Sequence, residues 1–143
     1  RMKSFSHEVV QKYWASVDYR KNMSIIGLVQ RSGHKEIMAI GSYAEAEDRR
    51  ADIAFVVRED YQNLGVASYL INQLESIAKK NNYIGFKASV LKENEAMIHV
   101  FKKNYPNSKI LSPKGAKNVE VYMDFKKQPH QKSLERDQSE LGQ

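Results

Sequence analysis

The sequence predicts an α/β domain: a mixed, twisted central sheet with helices on both faces. Three observations predict it. A strand at residues 52–57 runs through a short loop of small and polar residues into a strongly periodic helix. Alternating segments lie both before and after that unit. A second helix, with its own capping residue, separates the last two strands. A strand, a helix and a further strand in this order pair in parallel through a right-handed crossover, whereas the short turns upstream favour antiparallel hairpins.

In chain order, Ser6 is placed to cap a first helix that carries Val9, Val10, Tyr13 and Trp14 on one side. Trp14, the single tryptophan, reads as a packing anchor. A mostly apolar strand follows at residues 23–29, then a hairpin turn at 31–35 and a strand at 36–43. The charged loop from Glu45 to Arg50 returns the chain to the central strand. There Ile53, Phe55 and Val57 alternate with Asp52, Ala54 and Val56, so one face is bulky and the other carries a carboxylate.

Val66, Ala67, Leu70, Ile71, Leu74, Ile77 and Ala78 recur at helical spacing, with Asn72, Gln73, Glu75 and Lys79 turned to water. Lys79 and Lys80 suit the negative end of the helix dipole, and Asn81-Asn82 is a natural stop. Phe86, Ala88 and Val90 alternate in the next strand. Asn94 caps a last helix containing Met97, Ile98 and Phe101, which ends at Asn104-Tyr105-Pro106. Val119, Val121, Met123 and Phe125 alternate in a closing strand, paired through a turn around Pro113-Lys114-Gly115. One domain is expected over residues 1–125, followed by a polar, disordered tail over 126–143.

The chain has 143 residues, with 41% hydrophobic and 28% charged content, enough for one well-cored domain. With no cysteine, a disulfide framework, a thiol nucleophile and a cysteine-zinc site are excluded. His7, His34, His99 and His130 lack metal-ligand spacing, so no metal is expected. No apolar run approaches the length of a membrane span and no signal-peptide pattern is seen, which makes the cytoplasm the expected compartment. The net charge of +6 is spread among interleaved acids, with no nucleic-acid motif, so it suits a polyanionic cofactor better than DNA or RNA.

Residues 52–67 read DIAFVVREDYQNLGVA. A loop opening a helix leaves amides unpaired and adds the positive end of the helix dipole to them, which together hold an anion. Gly65 and Ala67 keep side chains clear of the backbone there. Neither of the two commonest phosphate-loop patterns, Gly-x-x-x-x-Gly-Lys-Ser/Thr or Gly-x-Gly-x-x-Gly, occurs. Gln62-x-x-Gly65-x-Ala67 instead resembles the pyrophosphate loop, Gln/Arg-x-x-Gly-x-Gly/Ala, of the GNAT superfamily of acyl-CoA-dependent N-acetyltransferases. The likeness extends over roughly residues 1–125. Within it, residues 6–29, Ala51-Asp52-Ile53-Ala54 and Val90-Leu91-Lys92-Glu93-Asn94 look like the GNAT domains of bacterial protein-lysine acetyltransferases. Such domains are often fused to cyclic-nucleotide-binding, CoA-ligase-like or acetyl-CoA hydrolase/transferase modules, and a chain opening on Arg1 fits one domain of a larger fusion.

The resemblance implies acetyl-CoA as co-substrate, a sheet splayed between its two central parallel strands, and an amine acceptor. The favoured acceptor is an exposed lysine of a protein partner. Phe55, Val56 and Val57 would lie along the pantetheine arm, with backbone groups of Val56 and Val57 pairing to it like an added strand. Gln62, Asn63, Leu64, Gly65, Val66 and Ala67 would bind the pyrophosphate, and Asn94 would reach the pantetheine arm. Asp52 matches the family's strand glutamate as general base, one methylene shorter. Its alternative reading is an exposed carboxylate paired with Arg49 or Arg50. Glu45, Glu47 and Glu93 are substitute bases, each of which reads more readily as solvated loop charge. Phe101, beside the cofactor, stands where the family has its acid tyrosine, and Tyr105 stands at a glycine position. Neither supplies the usual acid, which leaves thiolate protonation to water. Rival functions stay open: a small-amine acetyltransferase, a catalytically weak acetyl-CoA-sensing module of a fused enzyme, and, weakest, a nucleic-acid-binding module.

Overall fold

The computed structural model describes residues 10–13 and 20–125. The sequence expectations for residues 6–9, for Trp14 and for the tail at 126–143 lie outside them. Among the described residues seven strands form one sheet: β1 (Val10–Tyr13), β2 (Asn22–Arg31), β3 (His34–Glu45), β4 (Arg50–Val57), β5 (Gly85–Leu91), β6 (Lys109–Leu111) and β7 (Asn118–Asp124). Their spatial order is β1-β2-β3-β4-β5-β7-β6. Only β4 and β5 are parallel, joined by helix α1 (Val66–Lys80), and helix α2 (Glu95–Asn104) follows β5.

The upstream hairpin turns on Ser32 (φ 47°) and Gly33 (φ 80°), two left-handed residues whose twist matches that of the strands they join. α1 has the expected amphipathic face, with Val66, Leu70, Ile71, Leu74 and Ala78 buried. Each large side chain buried there contributes about 1.5–3 kcal/mol. It stops at Asn81, with Asn82 left-handed at φ 69°. Asn94 caps α2 as expected, its Oδ1 accepting the Met97 N–H at 3.2 Å.

The core lies on one face of the sheet. Ala51 and Ile53 of β4, Phe86, Ala88 and Val90 of β5, and Val119, Val121 and Met123 of β7 meet the buried faces of α1 and α2. Phe101 of α2 approaches Phe55 of β4 at 6.3 Å between ring centroids, and Tyr105, just past α2, approaches Phe86 at 6.4 Å. Among the described residues both helices therefore cover the same face.

Three expectations change. Residues 10–13, expected within a first helix, form β1 and pair antiparallel with Ser24–Gly27 of β2. Val10 and Tyr13 favour strand as readily as helix, and the open edge of β2 offers a ladder that no isolated helix could replace. β6, not anticipated, adds an outer strand beyond β7. Gln73, Glu75 and Lys79 are half-buried rather than turned to water; Glu75 accepts from the Tyr105 hydroxyl just past α2 and pairs with Lys79.

Candidate active site

β4 and β5 share only three register pairs, Arg50 with Gly85, Ala51 with Phe86 and Asp52 with Lys87. Both strands continue, to Val57 and Leu91, but no longer with each other. The Arg58 N–H donates to the Met38 carbonyl on the β3 side at 2.8 Å. Alternation along the antiparallel ladder then turns the backbone groups of Ile53, Phe55 and Val57 toward the opening. Val56 is the register partner of Ile40, and the same alternation points its amide and carbonyl at β3. The strand edge facing the opening is thus offered by Phe55 and Val57, the Val57 carbonyl already accepting from the Gln62 side chain, while Val56 borders the opening with an exposed side chain.

A cavity of about 290 Å³ fills the opening on the helix-bearing side. Phe55, Val56, Val57, Gln62, Asn63, Gly65, Val66, Ala67 and Asn94 all line it. Leu64 and Phe101 do not: Leu64 packs against the core, and Phe101 is only 2% exposed, beneath Phe55. Tyr61, Ser68, Ala96, Met97 and Val100 line the cavity as well, although their spacing alone marks them as turn or helix residues.

The phosphate-loop stretch has the geometry of an anion cradle. Gly65 is the N-cap of α1 at φ 82°, no side chain caps the helix, and no acidic residue stands in its first turn. A Cβ placed on Gly65 would meet nothing within 4 Å, so the space over the backbone is open. Asn63 is also left-handed, at φ 63°, and the Gln62 side chain donates to the Val57 carbonyl at 3.1 Å, which ties the loop to its strand. Asn104 Nδ2 donates to Ser68 Oγ and to the Val100 carbonyl, both at 2.9 Å. That leaves the Ser68 hydroxyl proton available to the cavity. Beneath the loop, Arg31 and Arg58 flank the Tyr61 ring at 5.9 and 5.8 Å. The Arg58 pKa is raised, chiefly by its hydrogen bond to Glu36 at 2.9 Å, with Asp60 also contributing.

Asp52 lies on the opposite face of the sheet, exposed, at the point where the strands part. It borders a second, shallower trough of about 380 Å³ that includes Asn22, Ser24, Ser42 and Ala54. Neither arginine weighed as its partner is bonded to it: Arg50 pairs with Asp124 at 2.6 Å, and Arg49 donates to the Asn82 carbonyl at 3.1 Å. Glu45 ends β3 and Glu47 occupies the following loop, while Glu93 precedes the α2 cap. None of the three lines either cavity. The Tyr105 hydroxyl donates to Glu75 Oε1 at 2.9 Å, and burial, together with the Glu75 charge, pushes its pKa well above the ordinary tyrosine value. Among the described residues no group of His, Asp and Glu is arranged to hold a metal ion.

The family model for the acetyltransferase (GNAT) family matches residues 3–105. The chain belongs to that family. A curated relative, Acetyltransferase PA5475 of Pseudomonas aeruginosa, is 29% identical over 68 residues, covering 47% of this chain and 37% of that protein. Solved structures of similar fold include the GNAT domain of S. lividans PAT, at TM-score 0.65 and 23% identity, covering 78% of this chain and 65% of that one. A cAMP-binding acyltransferase from Mycobacterium smegmatis matches at TM-score 0.64 and 22% identity, covering 85% of this chain and 38% of that one. A Bacillus anthracis (strain Ames) protein assigned as a streptothricin acetyltransferase, in complex with acetyl coenzyme A, matches at TM-score 0.61 and 22% identity, covering 74% of this chain and 64% of that one. The GNAT chain thus spans less than two thirds of each of these relatives. Among its described residues no helix is long and apolar enough to cross a membrane.

Proposed function

We propose that the chain transfers an acetyl group from acetyl-CoA to an amine, with a protein lysine ε-amine as the favoured acceptor. The supporting observation is the opening between β4 and β5, with an anion cradle on one side of the sheet and a carboxylate on the other. In this reading the loop amides from Gln62 to Ala67 hold the pyrophosphate at the α1 N-terminus, and Phe55 and Val57 pair with the pantetheine arm. Acetyl-CoA supplies the thioester. Asn94 and the Ser68 hydroxyl add polar contacts along the cavity.

On the far face Asp52 takes the proton that the amine gives up, directly or through one water, as the amine nitrogen attacks the thioester carbonyl. A carbon–nitrogen bond forms, the carbon–sulfur bond breaks, and the CoA thiolate takes its proton from water. Phe101 has no proton to give, and Tyr105 commits its own to Glu75.

The test measures free-thiol release from acetyl-CoA with a lysine peptide, with spermidine and with no acceptor. Release with the peptide supports protein-lysine transfer. Release with spermidine alone assigns a small-amine enzyme. Tight binding of acetyl-CoA with no release in any case favours the sensing module, for which the missing acid at Phe101 is the specific argument.

A further inference from the structure

We propose that the acceptor face reads an anionic group beside the acceptor amine, and that Lys87 is the residue that reads it. The proposal rests on Asp52 marking the acceptor side, as in the reading above. Lys87 is the register partner of Asp52 and projects onto the same face, at the mouth of the opening. Tyr122, next to it on β7, lies under the Lys87 ammonium with Nζ 5.9 Å from the ring centroid. A ring face holds an ammonium without neutralising it, so its charge and its N–H donors stay available.

The other cation at this place is less accessible, and its Nη1 is buried without a hydrogen-bond partner. Arg50 also lies over Tyr122, at 5.6 Å, but Asp124 holds one end of its guanidinium at 2.6 Å and the other is buried against Gly85. Among the described residues no carboxylate comes within ion-pair distance of Lys87. An acceptor entering over Asp52 therefore meets one negative charge that takes its proton and one positive charge beside it. A polycationic acceptor is repelled by the second charge. An amine flanked by a carboxylate is attracted, as is a lysine with a glutamate neighbour in its chain.

Two single-lysine peptides, one with Glu-Lys-Glu and one with Arg-Lys-Arg between capped alanines, test this in steady-state assays with acetyl-CoA. The wild type is expected to favour the acidic peptide in kcat/KM by about tenfold at low salt, or about 1.4 kcal/mol, and less in high salt. Lys87→Arg keeps the preference, Lys87→Gln removes it and Lys87→Glu reverses it. Acetyl-CoA affinity, read by calorimetry, stays unchanged because Lys87 does not line the cofactor cavity. An acidic-to-basic ratio that is the same in wild type, Lys87→Gln and Lys87→Glu overturns the proposal and leaves amine acetylation standing. Turnover of spermidine in preference to the acidic peptide does the same. Wild type that binds acetyl-CoA but acetylates neither peptides nor spermidine overturns the underlying reading, and this proposal with it.

Discussion

Asp52 and Lys87 form the last register pair shared by the two central parallel strands, and beyond them β4 and β5 separate. A ladder that stops early leaves backbone groups unpaired on both strands, and buried unpaired groups are costly. Such an edge persists where water or a ligand with its own amides completes it. The site is thus built from missing hydrogen bonds as much as from side chains.

Removal of the carboxylate separates catalysis from binding. Asp52→Ala is expected to lower acetyl transfer by about 10²–10⁴-fold, the usual worth of a positioned general base. Acetyl-CoA affinity should hold, because Asp52 lies across the sheet from the cofactor cavity. Turnover equal to wild type would remove Asp52 from the mechanism.

Gly65→Glu is expected to abolish acetyl-CoA binding in a calorimetric titration. A negative charge would stand at the open N-terminus of α1, where a pyrophosphate would otherwise lie. The left-handed backbone adds a folding cost of roughly 1–2 kcal/mol for a side chain at this position. Gly65→Asn, a residue that tolerates that conformation, controls for it. Retained binding in the glutamate variant would place the pyrophosphate elsewhere.

Gly41 lies directly behind the cavity wall. A Cβ there would come within 2.8 Å of Phe55 Cε1 and 3.4 Å of Leu70 Cβ. Gly41→Ala should cost about 1–3 kcal/mol by overpacking and push the Phe55 ring toward the cavity. Thermal melting and acetyl-CoA affinity should therefore fall together. A loss of stability with affinity intact would mean that the ring yields in another direction.

The raised Tyr105 pKa makes a signed prediction. The unfolded chain ionises this phenol near pH 10, whereas the folded protein keeps it neutral above that. Its contribution is fully present below about pH 10 and lost as pH rises further, since the unfolded state then releases a proton that the folded state retains. Melting temperature measured from pH 8 to 11.5 should fall more steeply for wild type than for Tyr105→Phe. Parallel curves would show that neither burial nor Glu75 shifts the ionisation of this phenol on folding.

Much of the candidate site is legible in local sequence because its parts are local. Gln62 to Ala67 follow a strand and open a helix, and the conformation they need is written in Gly65. Asn94 caps α2 within three residues of itself. Ser68 carries no local signal, because its partner, Asn104, is 36 positions away. Tyr105 likewise became a donor to Glu75 only when α2 and its exit were laid beside α1. The expectation for Phe101 rested on counting from Asn94, and counting gives a position along a helix but not the depth of a ring in the core.

By itself the sequence determined the strand–loop–helix unit, the parallel crossover after it and the alternation that sets Asp52 apart from Ile53 and Phe55. Each follows from a period of two or 3.6 residues and from the φ that a glycine permits. Only the tertiary structure decided that residues 10–13 pair as a strand, that α1 and α2 share one face, and that Lys87 stands beside Asp52. Periodicity assigns a residue to a face of its own element. Which residue of another strand shares that face is set by register, and register is fixed only when the strands and helices pack into a single core.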